Sequence, residues 1–561
     1  MSENQAYDII VVGASAAGLR AAARARRLLS NAKILVIDED TYISYAACGM
    51  PYYVSGDIEN ADKLRETAYG IVRDPEYFRT AKGLEVIIDT RVERIDRDAR
   101  KIYCHSIKTG EDSEYSYDKL VLAMGASPVM LPMVPKDSKR ITTLKTLHDA
   151  IDLRKSLERG EIKKVGIVGG GFIGCELAES FGALWGVDVV LIEAASHILS
   201  NILDTEMASA VEEYIKSEGV KLYTDCPLQE ITESEEGVTI KTSRGAFEVD
   251  RAVIAVGVRP NSKLAEESGL KLGKWGGIVV DDKMATSDST IFAAGDCVEM
   301  KHMISGKPLQ LPLGSLANRQ GRVVGSNLGG GDERFRPVIG SAAAKIFDMN
   351  VASTGLTEVG AKDAGFDAGC VWGTFTDKPD YYPEAQNVFL KVVYDKGSGR
   401  LLGLQGYSKG EVVKRVDVFA ALLRHDGYLE DLLDMEFAYA PPYAPAVDPL
   451  FSLGAIARNS QLEGIDQVRP DTPLGDSIGV DVRQPYEVEG NQLPELDCQN
   501  IPLEELREKC EELCKDRPLL AICEKGLRSS ESVRILKEKG FTDVKYLGGG
   551  IHMKPDASST T

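Results

Sequence analysis

Cys48 lies in the run Ser44-Tyr-Ala-Ala-Cys48-Gly-Met-Pro, just ahead of a glycine and a proline. A single thiol completes a two-electron redox cycle only when a second sulfur or an oxygen is bonded to it. The next cysteine is Cys104, so no Cys-x4-Cys redox pair is written here. The partner atom must come from a small external thiol or from oxidation to a sulfenic acid. A second candidate is Cys523, in Leu519-Leu-Ala-Ile-Cys523-Glu-Lys-Gly-Leu-Arg528-Ser529. That pattern predicts an apolar strand, a loop and a helix start, where loop amides and the helix N-terminus stabilise a thiolate. Arg528 adds a positive charge for an anionic sulfur donor, whereas Glu524 places a carboxylate next to Cys523, which weakens stabilisation of its thiolate. Upstream, Ser477–Arg483 reads as a strand ending in Asp481 and Arg483, and Asn500–Leu506 as a turn into a helix. Cys510 and Cys514, four apart, are expected on one helix face, without the two further ligands a metal site needs. Cys104, Cys175, Cys226, Cys297 and Cys370 are expected as buried small hydrophobes. The six histidines form no ligand cluster, and no metal site is expected.

Positioning such thiols takes a large scaffold, and 561 residues provide one of roughly three to five domains. The balance of 43% hydrophobic and 27% charged residues is that of a soluble globular protein. Lys+Arg 66 against Asp+Glu 86 gives a net charge of −20, which argues against a nucleic-acid partner because phosphate neutralisation needs basic surface. No apolar run reaches the ~18 residues of a membrane span. The opening MSENQAYDIIVVGASAAG lacks the charged and apolar regions of an export signal and reads as a first strand, so a cytoplasmic location is expected.

Short Val/Ile runs alternate with Ala-rich helical stretches, which predicts α/β units. One grammar occurs twice. Tyr7–Val12 leads into Gly13-Ala-Ser15-Ala-Ala-Gly18, a helix, and a strand ending at Asp38. Lys164–Val168 leads into Gly169-Gly-Gly171-Phe-Ile-Gly174, a helix, and a strand ending at Glu193. In such a turn the first glycine bends the chain, the second admits a pyrophosphate and the third lets helix meet strand. The helix N-terminus then faces the phosphates. Glu193, 24 residues after Gly169, suits ribose hydroxyls, and with no Arg among Ala194-Ala195-Ser196 it repels a 2′-phosphate, which favours NADH. In the first copy Ser15 replaces the middle glycine and is small enough to leave room for a phosphate. Ser289–Asp296 reads as a strand ending in Gly295-Asp296, whose carboxylate suits a flavin ribityl chain. Tyr117–Gly125 and Val253–Pro260, with Gly257, are two further strand-to-glycine corners, one per fold.

This layout resembles the two-dinucleotide flavoprotein disulfide reductases over about residues 1–455. The resemblance implies FAD at Gly13, Ser15, Gly18, Asp38, Gly125, Gly295 and Asp296, NADH at Gly169, Gly171, Gly174, Glu193 and Gly257, and a C-terminal dimerisation domain. Around Cys48 it resembles the single-Cys subgroup of coenzyme A disulfide reductases, NADH-dependent persulfide or polysulfide reductases, and NADH oxidases and peroxidases. The peroxide branch carries a His in the first glycine loop, where this chain has Ala16. Tyr381-Tyr382-Pro383 and Tyr439-Ala-Pro-Pro-Tyr443 match the coenzyme A branch, which implies that Tyr381 and Tyr439 act over the redox cysteine of the other subunit. By position, Arg20, Arg24, Arg27, Lys82 and Ser44 match that branch's coenzyme A contacts. The family's Asn before the cysteine is Ala47 here. Residues 474–550 resemble a rhodanese domain with Cys523 and Arg528 in its loop, although its usual Gly-His-Ile-Pro-Gly segment is reduced to Gln492-Leu-Pro494.

The expected architecture is α/β, with two Rossmann-like dinucleotide-binding domains, an α+β dimerisation domain and an α/β rhodanese-like domain. The expected boundaries are 1–150 and 288–335 for the FAD-binding domain, 151–287 for the NADH-binding domain and 336–456 for the dimerisation domain. A linker is expected over 457–473, the rhodanese-like domain over 474–553 and a polar tail over 554–561. The expected function is a homodimeric, FAD-dependent, NADH-driven reductase of persulfides, polysulfides and coenzyme A disulfides, fed with sulfane sulfur by Cys523. The alternatives are an NADH oxidase or peroxidase working through a Cys48 sulfenate, and a non-catalytic flavoprotein scaffold.

Overall fold

The computed structural model describes residues 5–473, 476–491 and 498–554. The chain forms two compact units, one of Met1–Ala194 with Cys226–Val338, the other of Ala195–Asp225 with Ile339–Thr561.

The first unit is organised by two sheets with parallel cores, the first of which continues beyond Asp112–Leu122 into the antiparallel strands Lys101–Ser106 and Thr90–Asp96. In one, Glu85–Ile87, Ile34–Ile37, Gln5–Val12 and Asp112–Leu122 run in that order, with Ile291–Ala293 also pairing parallel to Asp112–Leu122. Their centres are continuous Ile, Leu and Val, as sheets covered on both faces require. In the other, Asp188–Ile192, Lys164–Val168, Arg251–Ile254 and Ile141–Thr142 are likewise parallel. The helix Ala16–Leu28 packs on the helix Gly314–Leu328 at very short range. A Cβ at Gly321 would stand 2.4 Å from the Ala17 carbonyl oxygen, and one at Gly325 2.5 Å from that of Ala21. The corners at Gly125 and Gly257 lead into two short strands, Ala126–Pro128 and Val258–Pro260, paired antiparallel.

The second unit carries an antiparallel sheet in the order Ala342–Ile346, Met349–Gly355, Leu401–Ser408, Asn387–Asp395 and Ala368–Thr376. A second sheet, wholly parallel, runs Gln467–Val468, Val544–Leu547, Leu519–Ile522, Ile478–Asp481 and Cys498–Asn500.

Three expectations need correction. The stretch 457–473 is not a linker, because the helix Pro449–Glu463 continues into it and Gln467–Val468 supplies the edge strand of the last sheet. Its polar residues Gln467 and Arg469 bond to the Trp372 backbone and to Glu206 and Glu358, and Ile465 is buried, so composition alone misleads there. Residues 195–225, expected within the NADH-binding domain, group with the second unit, where Asp204 and Glu206 meet Lys391 and Trp372. Cys510 and Cys514 do not share a helix face. The helix Leu503–Lys509 ends before them, Cys510 is buried at the start of a 3₁₀ turn, and Cys514 is exposed beyond it. The Gln492–Pro494 segment, the domain start at Leu474 and the tail after Lys554 lie outside the described residues. Among the described residues no helix is long and apolar enough to cross a membrane.

Candidate functional site

The two glycine turns are built on one plan. Gly13 N donates to the Ile37 carbonyl and Gly169 N to that of Ile192, both at 2.8 Å. Asp38 Oδ2 accepts from Ala14 N, and Glu193 Oε2 from Gly170 N at 2.6 Å. Each acid therefore ties its strand end to the turn that follows the first strand. A Cβ at Gly18 or Gly174 would strike the carbonyl oxygen of Gly13 or Gly169 at 1.9 and 1.8 Å, so those glycines are set by helix–strand packing. Gly171, Gly125 and Gly257 differ, since nothing lies within 4 Å of their missing Cβ atoms. Bare backbone facing open space beside a helix N-terminus is the cradle a pyrophosphate needs. Ser15 is exposed and makes no side-chain cap bond, which leaves the first cradle open as well. Burial, opposed by its two amide bonds, pushes the Asp38 carboxyl up.

Cys48 belongs to a 3₁₀ turn, Ala47–Gly49, that runs into the helix Met50–Ser55. Two bonds hold this helix in place. Ser180 Oγ donates to the Pro51 carbonyl at 3.0 Å and Trp185 Nε1 to that of Val54 at 2.9 Å. Both donors come from the second nucleotide fold, and Glu176, one turn before Ser180, thereby bears on Cys48. Ser44 leads into this segment with φ 56, a left-handed conformation, and its N–H donates to the Ala14 carbonyl at 2.9 Å. A non-glycine residue held there stores strain that the first glycine loop sustains. The Cys48 thiol is pushed up by desolvation first and then by the Glu176 carboxylate. The Gly314 amide, at the N-terminus of the helix Gly314–Leu328, pulls it down, and Asp296 raises it. Glu176 itself is pushed up to about 7 by burial and by Glu179. Asp296 is raised by burial, with Lys145 opposing. Cys48 and Asp296, distant in sequence, thus share one site. Glu176, Gly314 and Lys145 were missed by sequence reasoning. Only Glu176 carried a signal, as an acid in the first turns after Gly174.

Among the basic residues, Arg20, Arg27 and Lys82 are exposed, and Lys82 Nζ lies 5.5 Å from the Tyr77 ring centroid. Arg24 lies on the same helix as Arg20 and Arg27 but is tied to Ser326 Oγ at 2.9 Å and to Glu333 at 3.7 Å.

In the second unit Tyr381 and Tyr439 are brought together, and their mutual hydrogen bond pushes the Tyr381 phenol up. Both are exposed, with Tyr443 and Val447 adding apolar surface. Cys523 is buried at the end of its strand. Its Sγ accepts from Gly526 N at 3.1 Å and Ser529 N at 3.4 Å and lies 3.3 Å from Ser529 Oγ. Gly526, φ 96, caps the helix Leu527–Glu538, so the sulfur sits over its N-terminus. Arg528 does not stand free as an anion grip, because Glu487 holds it bidentate at 2.6 and 2.7 Å. Glu487 was not singled out from the sequence. Cys104, Cys175, Cys226 and Cys297 are buried as expected, whereas Cys370 is only partly so. None of the ten cysteines is disulfide-bonded. The carboxylates of Asp204, Glu206 and Glu358 converge as metal ligands would, but the fully buried Lys391 ammonium lies among them.

Residues 7–320 match the pyridine nucleotide-disulphide oxidoreductase family, 341–450 its dimerisation domain and 472–553 the rhodanese-like domain. The NAD(P)H coenzyme A polysulfide/persulfide reductase of Pyrococcus horikoshii is 33% identical over 462 residues, which are 82% of this chain and 100% of that one. The NADH oxidase of Methanocaldococcus jannaschii is 34% identical over 441 residues, 79% of this chain and 96% of that one. The solved NAD-dependent persulfide reductase from A. fulgidus matches with a TM-score of 0.94 at 38% identity, covering 97% of this chain and 99% of that one.

Proposed function

The chain belongs to the pyridine nucleotide-disulphide oxidoreductase family, and from that premise we propose that it is a cytoplasmic homodimer that uses NADH to reduce persulfides, polysulfides and coenzyme A disulfides through Cys48. The observation that carries this reading is the Cys48 thiol, in no disulfide, at the N-terminus of the helix Gly314–Leu328, beside Asp296 and Glu176. FAD held along Gly13–Gly18, Asp38, Gly125, Gly295 and Asp296 would supply the two-electron step between the nicotinamide and the sulfur. Gly169, Gly171, Gly174, Glu193 and Gly257 hold NADH. The Gly314 amide favours the thiolate form of Cys48, which attacks the outer sulfur of the substrate. Tyr381 and Tyr439 stand over Cys48 of the partner subunit and protonate the leaving sulfur. Arg20, Arg24, Arg27, Lys82 and Ser44 bind coenzyme A, whose thiol is the second sulfur, and Cys523 delivers sulfane sulfur. Homologues named for coenzyme A, polysulfide and persulfide, and the rhodanese-like domain, support this substrate class.

The test is the intact mass of the purified protein with and without reductant. A reductant-labile addition of one coenzyme A per chain, absent in Cys48→Ser, is expected. An unmodified mass that gains a single oxygen with peroxide would contradict it. That second outcome belongs to an NADH oxidase, a reading favoured by the relative of that name and disfavoured by Ala16.

A further inference from the structure

The electrostatics around Cys523 select against the compact dianions that a free loop arginine would attract. Arg528, a cation of the Cys523 loop, is matched by Glu487. That carboxyl is held at about 2, first by its bonds from Arg528, so it is ionised throughout the working range. Lys525 faces Asp380 at 3.6 Å. Arg483 is fully buried and paired with Asp481 at 2.7 Å. His552, whose amide donates to the Glu524 carbonyl, is pushed down by burial and stays neutral near pH 7. Glu524 adds a further carboxylate that acts on Arg528. Along the Cys523 loop the cations of Arg528 and Lys525 are thus each matched by a carboxylate, of Glu487 and Asp380, and Glu524 adds one more. The exposed chain neighbours of this pair, by contrast, are apolar. Leu527 is 82% exposed and Tyr486 72%, and they are the chain neighbours of Arg528 and Glu487. The Arg528–Glu487 pair therefore holds two apolar side chains at the surface while cancelling its own charge.

We infer that Cys523 takes its sulfur from a persulfide borne on an uncharged, partly apolar thiol, and that Glu487 is the specificity-determining residue that excludes thiosulfate. This rests on the reading of Cys523 as a sulfane-sulfur carrier. In the step, the Cys523 thiolate attacks the outer sulfur of R–S–SH, a new Cys523–S bond forms, the donor S–S bond breaks, and RS⁻ leaves with the bonding pair. The outer proton travels with the transferred sulfur, and no external oxidant or reductant is needed. Such a donor brings at most one negative charge into the site. Thiosulfate would bring two, against a surplus of carboxylate.

The experiment uses the full-length flavin-loaded protein without NADH and follows sulfur transfer to cyanide as thiocyanate. The donors are thiosulfate and 2-hydroxyethyl persulfide, with Cys523→Ser as background. Glu487→Gln should raise kcat/KM for thiosulfate about tenfold and leave that for the persulfide within about twofold. Leu527→Lys, which adds a cation next to Arg528 in the chain without touching the pair, should move the ratio the same way and does not depend on loop integrity in the first variant. Equal changes on both donors, or a wild type that already prefers thiosulfate, would overturn the assignment of Glu487. Transfer equal in wild type and Cys523→Ser for both donors would instead overturn the carrier reading on which it rests.

Discussion

The carboxyl of Glu176 acts directly on the thiol of Cys48, although one belongs to the second nucleotide fold and the other to the segment that follows the first. The link is mechanical as well as electrostatic, since Ser180, on the same helix as Glu176, anchors Pro51. Two consequences can be measured. Glu176→Gln removes a negative charge facing the thiolate, so the Cys48 pKa should fall and the thiolate fraction at pH 7 should rise roughly threefold. The iodoacetamide alkylation rate of Cys48 against pH reports this, and an unchanged profile would sever the link. The wild-type profile should also bend near pH 7, where Glu176 itself ionises. Because burial raises that carboxyl, its contribution to stability is present at pH below its ordinary value and is lost as pH rises through about 7. The stability gain of Glu176→Gln should therefore be larger at pH 8 than at pH 5.

We propose that nucleotide choice rests on Glu193. Its Oε2 is fixed by Gly170 N, so the carboxylate stays at the strand end where the proposed ribose would lie. NADH should exceed NADPH in kcat/KM by at least about tenfold. Glu193→Gln, which keeps the amide contact and loses the charge, should narrow the gap by about the same factor. A wild type that prefers NADPH would reverse this assignment.

The glycine grammar was legible because its constraints are local. Gly13 and Gly169 lie against the Ala123 and Ala255 carbonyl oxygens at 2.2 and 2.4 Å from a would-be Cβ, and no other residue fits such a turn. The same holds for the Cys523 loop, where strand, turn and helix start are contiguous. What escaped was convergence between distant segments. Nothing near Cys48 in the sequence points to Glu176 or Gly314, and nothing near Arg528 points to Glu487. One missed feature did leave a trace. Lys391 stands at the centre of the apolar strand Asn387–Asp395, and a charge in a buried run announces a partner.

That partner is a cluster. Lys391 Nζ meets Asp204 at 2.8 Å, Glu358 at 3.0 Å and Glu206, while Arg469 grips Glu206 at 2.8 Å and Glu358 at 3.1 Å. Burial opposes the charge on Glu358, but Lys362, Lys391 and Arg469 outweigh it and hold the carboxyl at about 2. Its stabilisation is thus present above its ordinary value near 4.5 and is lost as pH falls towards 2. Lys391→Met leaves buried carboxylates uncompensated and should cost about 3–5 kcal/mol in urea unfolding at pH 7, with a shallower loss on acidification. An unchanged urea midpoint would show that the cluster contributes nothing.

The most direct test of the whole account is Cys48→Ser, followed by stopped-flow absorbance of the flavin and by steady-state turnover. NADH should bleach the flavin at close to the wild-type rate, because Gly169–Gly174 and Glu193 are untouched. Reduction of persulfide, polysulfide and coenzyme A disulfide should fall to background. Sustained turnover on any of these acceptors without the Cys48 sulfur would contradict the account.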